Sequence, residues 1–448
     1  MIGVRNLLAA FACAVLAACG GGNASRAGVP GLPVTLSVPQ LEQSPGKYIK
    51  HVVIIVQENR SFDNLFAKYP GADGATRGQM SNGKSIELKP TKLYSGKGFE
   101  NSHEAYVVDY DGGKMDGWNL VYVGSKPCAS CAYKYVDPAD IKPYWTMAQQ
   151  YVLADHMFPT ESSGSFNGHQ DLIRGDSAIS DSESLVDFPS HGPWGCDAPP
   201  GTTTPLLTDT GKYIAKGPFP CLKYDTVRDL LDAKKVSWKY YTPQLFDSLA
   251  GAYWDAFEAI KAVRNSPEWT TNISTPQTNV FKDISSGSLA SVSWVVPDGI
   301  DSDHSQIAKG DRGPSWVAQV VNAIGESQYW KSTAIIVVWD DWGGWYDHVP
   351  PPQLDYAGLG MRVPMLVVAP YAKSGFVSHT QYEFGSVIKF VEEVWGLGNL
   401  GTTDKTSASI DDVFDFSQAP RKFVPIKAEY SKRFFERQPP SNLPLDTN

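Results

Sequence analysis

The chain has 448 residues, 42% of them hydrophobic and 12% aromatic, enough apolar surface for a real core and too much for a disordered chain. Its 39 Lys and Arg stand against 48 Asp and Glu, a net charge of −9, and no basic run occurs, which argues against a nucleic-acid partner. Forty Gly and 32 Pro recur throughout, so long loops over a rigid scaffold are expected rather than a helical bundle.

Residues 1–18 carry Arg5, the nearly uncharged run from Leu7 to Leu16, and then small residues. That is the layout of an export signal, too short to stay in a bilayer as a span. The stretch Leu16-Ala17-Ala18-Cys19-Gly20 resembles the bacterial lipoprotein signal. The resemblance implies cleavage before Cys19, lipidation of that residue, and an exported protein held to the cell envelope by lipid, facing the periplasm or the surface. Residues 19–47, rich in Gly, Ser and Pro, read as a flexible tether, and 48–448 as one domain with long insertions.

Cys13 leaves with the signal and Cys19 is taken by lipid, so four cysteines remain. In an oxidising compartment the local pairs are preferred: Cys128 with Cys131, and Cys196 with Cys221. A redox or zinc role for Cys128 and Cys131 is the rival, and no second CxxC supports it.

Short β-branched runs predict buried strands at Ile49 to Val56, Ser291 to Val296, Thr333 to Trp339 and Val363 to Ala369. Helical patterns at Thr226 to Lys234, Tyr253 to Val263, Ser315 to Ser327 and Tyr382 to Trp395 alternate with them, which predicts an α/β fold with helices on both sheet faces. The Pro-rich end from Ala419 to Asn448 lacks periodicity and is expected to run extended over the surface.

Two strand ends carry chemistry. The first runs into Glu58-Asn59-Arg60-Ser61, placing oxygen donors at the carboxyl end of a strand, where open α/β sheets bind their ligands. Such donors suit a hard or borderline cation, and equally a helix cap and a satisfied amide. The run Thr333 to Trp339 leads into Asp340-Asp341-Trp342-Gly343-Gly344-Trp345-Tyr346-Asp347-His348. Adjacent carboxylates at a buried strand tip repel unless something positive lies between them, and a metal ion meets that need. The Gly pair allows a sharp turn that could bring His348 back. The hydroxyl-rich stretch Thr160-Glu161-Ser162-Ser163-Gly164-Ser165 offers nucleophiles, although most such runs are turns. His103 and His304 are ambiguous when read singly.

Taken in order, "KHVVIIVQENRSFDNLF", "GGKMDGW", "WDDWGGWYDHVPPP" and "GMRVPMLVVAPYAKSGFVSHTQYEFGSVIKFVEEVWGL" resemble the bacterial phosphoesterase family of phospholipases C and acid phosphatases, within the alkaline-phosphatase and sulfatase superfamily. The resemblance covers most of residues 48–400. It implies a central mixed sheet flanked by helices, one divalent metal ion of unknown identity, and hydrolysis of a phosphate monoester or phospholipid through a phosphoseryl intermediate. Glu58, Asn59, Asp340 and Asp341 match the metal-binding positions. Ser165, in Ser165-Phe166-Asn167-Gly168-His169, matches the nucleophile segment. His103, His304 and His348 match positions that bind phosphate or transfer protons. Two departures stand out: Asn167-Gly168 replaces the usual Pro-Asn, so Thr160, Ser162 and Ser163 stay open as nucleophiles, and Trp342 occupies the place of a usual His. The chain's length tilts the expectation toward a phosphatase with some diesterase activity. A surface lipoprotein using the same fold as a non-catalytic binding module is the alternative.

Overall fold

The computed structural model describes residues 44–443 except 124, 125, 308 and 311, so the expected signal and Cys19 lie outside the described residues. Its centre is a nine-stranded sheet. In chain order the strands are β1 (His51–Gln57), β2 (Val152–Phe158), β3 (Trp238–Tyr241), β4 (Ile273–Ser274), β5 (Val292–Val295), β6 (Thr333–Trp339), β7 (Val363–Val368), β8 (Phe376–Ser378) and β9 (Tyr382–Glu383). Across the sheet they lie β4-β3-β5-β1-β6-β7-β2-β8, with β9 also on β2. The strand β7 runs antiparallel to β6 and β2, and the other pairings are parallel, so the sheet is mixed as expected.

The helices that matter for the site are α1 (Phe62–Phe66), α2 (His103–Tyr110), α3 (Lys142–Gln150), α4 (Ser165–Arg174), α5 (Arg312–Gly325) and α6 (Phe384–Trp395). Helix α4 packs on α6 and α3 on α5. Every residue of β6 is buried, which requires cover on both faces of the sheet and explains the unbroken apolar run in its sequence.

The expected strands at the middle and end of the chain appear within a residue or two of their predicted limits. The strand β2, VLADHMF, was not expected: Asp155 and His156 interrupt its apolar pattern, yet Asp155 is fully buried. The helix expected from Tyr253 to Val263 breaks into a 3-10 turn at Ala256–Ala259 and one helical turn at Lys261–Arg264. Asp255 caps the Phe257 N–H, and Leu222 exchanges backbone hydrogen bonds with Ala259 and Lys261, which pulls the chain out of the helix. Residues Tyr382 and Glu383 pair with β2, so α6 starts at Phe384, with Glu383 and Ser386 forming a capping box. The C-terminal stretch is largely irregular but includes a helix at Lys432–Arg437, whose Phe435 ring packs edge-on to Trp316 at 5.4 Å. Both local disulfides, Cys128–Cys131 and Cys196–Cys221, are present. Among the described residues no helix is long and apolar enough to cross a membrane.

Candidate active site

Register brings the two strand ends together. β1 pairs with β6 from His51↔Thr333 through Gln57↔Trp339, so Glu58 and Asp340 leave the sheet side by side, one strand spacing of ~4.8 Å apart. The Asp340 N–H donates to the Gln57 carbonyl at 2.9 Å, and the Arg60 N–H to the Asp341 carbonyl at 2.9 Å, extending the pairing into both loops. Asn59 turns the chain with a φ of 58°, a left-handed conformation that Asn tolerates better than most residues. Gly343 follows at φ 58°, and a Cβ there would lie 2.3 Å from the Asn59 carbonyl oxygen, so this close approach of the two loops needs glycine.

Asp341 is the hub. Its oxygens accept from Asn59 Nδ2 at 3.2 and 3.4 Å, Asn101 Nδ2 at 3.1 and 3.0 Å, the Gly343 N–H at 2.6 Å, and Ser165 Oγ at 2.9 Å. Asp340 Oδ1 accepts from the Asn59 and Asp341 N–H groups, both at 2.8 Å. Ser165 is the first residue of α4, where free N–H groups favour an anion. One turn on, His169 places Nε2 3.0 Å from Glu58 Oε1 and 3.8 Å from Asp340 Oδ2. Gly168 explains its own departure from the family pattern: a Cβ there would sit 2.4 Å from the Asp340 carbonyl oxygen, so α4 can lie against this loop only without a side chain. Gly168→Ala is expected to push α4 away, costing about 1–3 kcal/mol and most of the cation affinity. Thermal unfolding and a cation titration of the variant check it.

Burial pushes the carboxyl groups of Glu58, Asp340 and Asp341 well above the ordinary carboxylate range, and their mutual repulsion adds to it. Among the described residues no Lys or Arg pairs with any of the three; the Arg60 guanidinium instead donates to the Asp303 carbonyl, Asn64 and the Leu93 carbonyl. Glu58 Oε2, Asn59 Oδ1 and Asp340 Oδ2 are buried without hydrogen-bond partners. An unmet buried oxygen costs on the order of 1–3 kcal/mol, more when charged, so three of them together fit a cation. Donors from Glu58, Asn59, Asp340 and Asp341, with the His169 imidazole beside them, suit a hard or borderline divalent ion. His169 is legible in the motif but has no role assigned by the resemblance, and Asn101 carries no sequence signal.

The other expected residues separate. Ser163 Oγ accepts from the Asp187 N–H at 2.7 Å, Ser162 Oγ donates to the Ala357 carbonyl at 2.6 Å, and Thr160 is buried elsewhere in the loop, so of the four hydroxyls the one on the Asp340–Asp341 pair is Ser165. The His103 ring bonds through Nδ1 to the Ser162 carbonyl at 2.9 Å and lines a cavity of about 1040 Å³ together with Glu104, Asp187, Trp194 and Tyr213. His304 is buried, stacks with Trp254 at 6.2 Å, and Trp254 stacks in turn with His169 at 6.4 Å. Burial, and then the Arg60 charge, lower the His304 pKa to about 3. His348 does not return to this cluster: its Nδ1 lies 2.7 Å from Asp63 and its Nε2 3.2 Å from Asp73. The Ser61 hydroxyl holds the Tyr346 carbonyl at 2.7 Å and Asp347 accepts the Asp63 N–H at 3.0 Å, which carries the loop along α1 instead. Trp342, in the place of a usual His, is fully buried in an aromatic cluster with Tyr106 and Trp118.

The phosphoesterase family model matches residues 49–398. The chain is 25% identical over 405 residues to the non-hemolytic phospholipase C of Pseudomonas aeruginosa, covering 78% of this chain and 54% of that protein. It is 22% identical over 437 residues to phospholipase C A of Mycobacterium tuberculosis, covering 84% and 79%. The chain thus spans about half the length of the Pseudomonas relative. Among solved structures it is similar to a protein in the alkaline phosphatase superfamily from Vibrio parahaemolyticus, with 10% identity, a TM-score of 0.37, and 82% and 72% of the two chains covered. With its model matched from Ile49 to Gly398, across both strand-end pairs and the Ser165 segment, the chain belongs to the phosphoesterase family.

Proposed function

We propose that the chain is a metal-dependent hydrolase of phosphate esters that works through a phosphoseryl intermediate at Ser165. The observation that carries this reading is the Ser165 hydroxyl, at the amino end of α4, held 2.9 Å from Asp341 beside two further buried carboxylates. A divalent cation held by Glu58, Asn59, Asp340 and Asp341 would supply Lewis-acid polarisation of the phosphoryl group and charge to favour the serine alkoxide. The chain's own residues do the rest. Asn59, Asn101 and Gly343 fix the Asp341 carboxylate, which in turn fixes the Ser165 oxygen. The α4 N–H groups favour the phosphoryl oxygens. Ser165 Oγ passes its proton to the Asp341 carboxylate it hydrogen-bonds and forms the new bond to phosphorus as the ester oxygen leaves with its electron pair. His103, anchored by Nδ1 and lining the cavity, would give that oxygen a proton. Water then breaks the Ser165–phosphorus bond and restores the hydroxyl.

The cavity beside His103 would take the alcohol part of the ester, so both a monoester and a phospholipid headgroup are substrates of this reading, in line with relatives named phospholipase C. In this reading the lipoprotein-like signal at Cys19 would carry the enzyme out of the cytoplasm and tether it by lipid to the envelope it would act on. The test is hydrolysis of nitrophenyl phosphate and nitrophenyl phosphorylcholine by chelator-treated protein, with divalent cations added back singly. Both hydrolyses are expected to vanish on chelation and one cation to restore at least one of them. Full hydrolysis by the chelated protein overturns the reading, and the ratio of the two rates ranks monoester against diester.

A further inference from the structure

A side chain that gives up a proton in a reaction must be held within hydrogen-bond reach of the oxygen it serves. The contacts that fix the His103 ring meet at one residue, Asp187. It stands two residues beyond the strand Glu183–Leu185, is buried, and has a φ of 61°. A left-handed backbone at a residue other than glycine persists where the surroundings hold it, and such residues gather at functional sites.

Asp187 Oδ1 accepts the N–H of His103 itself, the first residue of α2, at 2.5 Å. Its Oδ2 accepts the Tyr213 hydroxyl at 2.9 Å, and the Tyr213 ring lies nearly parallel to the His103 ring, 6° from it with centroids 6.4 Å apart. The Asp187 N–H donates to Ser163 Oγ at 2.7 Å. The preceding residue, Ser162, holds His103 Nδ1 with its carbonyl at 2.9 Å, and its hydroxyl lies 3.1 Å from the same nitrogen. One carboxylate and its own amide therefore tie down the backbone that carries the ring, an aromatic neighbour of the ring, and the loop that holds Nδ1. Starting the helix does not call for this arrangement, because the Ser102 hydroxyl already caps α2 by accepting the Ala105 N–H at 3.2 Å.

We propose that Asp187 is the positioning residue of His103, setting the place of the imidazole in the cavity without touching the reacting atoms. The inference rests on the proton transfer by His103 in the proposed mechanism and adds the residue on which that transfer depends. Asp187 also lines the cavity, so an effect through His103 has to be separated from a direct effect on the alcohol.

The test is a double-mutant cycle on the full chain with its restoring cation. It reads kcat for nitrophenyl phosphate and nitrophenyl phosphorylcholine and for the matching glyceryl esters. Nitrophenolate leaves without a proton and a glyceryl alkoxide needs one, so His103→Gln is expected to slow the glyceryl esters about 100-fold more than the nitrophenyl esters. Asp187→Asn keeps the size of the side chain and tolerates the left-handed backbone. It is expected to shift the same ratio by about ten-fold, and in the His103→Gln background to cost less than about two-fold further, because its effect passes through the missing ring. Tyr213→Phe keeps the ring and loses only the hydroxyl on Asp187, so it is expected to move the ratio the same way by about three-fold even should Asp187→Asn unfold. An Asp187→Asn loss equal for both kinds of ester, or undiminished in the His103→Gln background, makes Asp187 a structural or alcohol-binding residue and overturns the assignment. An unchanged ratio in Tyr213→Phe does the same where Asp187→Asn does not fold. An unchanged ratio in His103→Gln itself overturns the proton transfer, and the positioning role with it.

Discussion

Ser165→Ala is expected to lower phosphate-ester hydrolysis by about 10³-fold or more while leaving cation affinity within a few-fold of the parent. The hydroxyl is the smallest group in the cluster, and its removal takes one hydrogen bond from Asp341, which keeps the amides of Asn59 and Asn101 and the Gly343 N–H. Helix α4 keeps its position, because Gly168 and not Ser165 sets its distance from the Asp340 loop. Single-turnover assays in acid quench would in addition show phosphate bound covalently to the parent and absent from the variant. Unreduced hydrolysis in Ser165→Ala would transfer the nucleophile to another hydroxyl, and labelled phosphate on Ser162 or Ser163 would say which.

Asp340→Asn has the second large effect, and it has opposite signs in two conditions. With cation present, the variant loses a charged donor at the centre of the site, so turnover should fall to background and the cation-dependent rise in Tm should disappear. Without cation, the same change removes one of three buried carboxylates that repel each other, so the chelated variant should melt above the chelated parent. The pH dependence follows. Glu58, Asp340 and Asp341 have folded-state pKa values raised above their unfolded ones, so the stability they permit in the chelated parent is complete in mild acid and is lost as pH rises through the raised values. The gap between chelated variant and chelated parent should therefore widen from pH 5 to pH 8. A chelated Asp340→Asn protein less stable than its parent at pH 8 would mean that the three carboxylates are not confined together.

Much of this fold could be read before any coordinates. Apolar β-branched runs of six or seven residues such as Thr333–Trp339 admit little but a central strand, and alternation with helical patterns leads to a covered sheet. The strand β2 escaped because its buried Asp155 looks like a loop residue until the backbone N–H of Asp73 and the imidazoles of His156 and His379 are seen to satisfy it. The helix expected from Tyr253 to Val263 failed for a related reason: a backbone pairing with Leu222, 38 residues upstream of Ile260, outweighed local periodicity. Tertiary hydrogen bonds of this kind leave no trace in spacing.

The site divides along the same line. Composition and motif determine which residue types are available: two donor pairs at strand ends, a hydroxyl run and scattered histidines. The family resemblance favours Ser165 but leaves Thr160, Ser162 and Ser163 open, because a helix start and a turn use the same residues. Only the packing of α4 on the Asp340 loop distinguishes them, with the side-chain-free Gly168 allowing Ser165 to reach Asp341. The histidines show it most clearly. His103, His304 and His348 are chemically identical in sequence, yet one lines a cavity, one is buried against Trp254 and one belongs to Asp63 and Asp73. Residue identity fixes what a side chain can donate or accept, while burial, register and neighbouring charge, which exist only in the folded chain, decide whether it does so and to what.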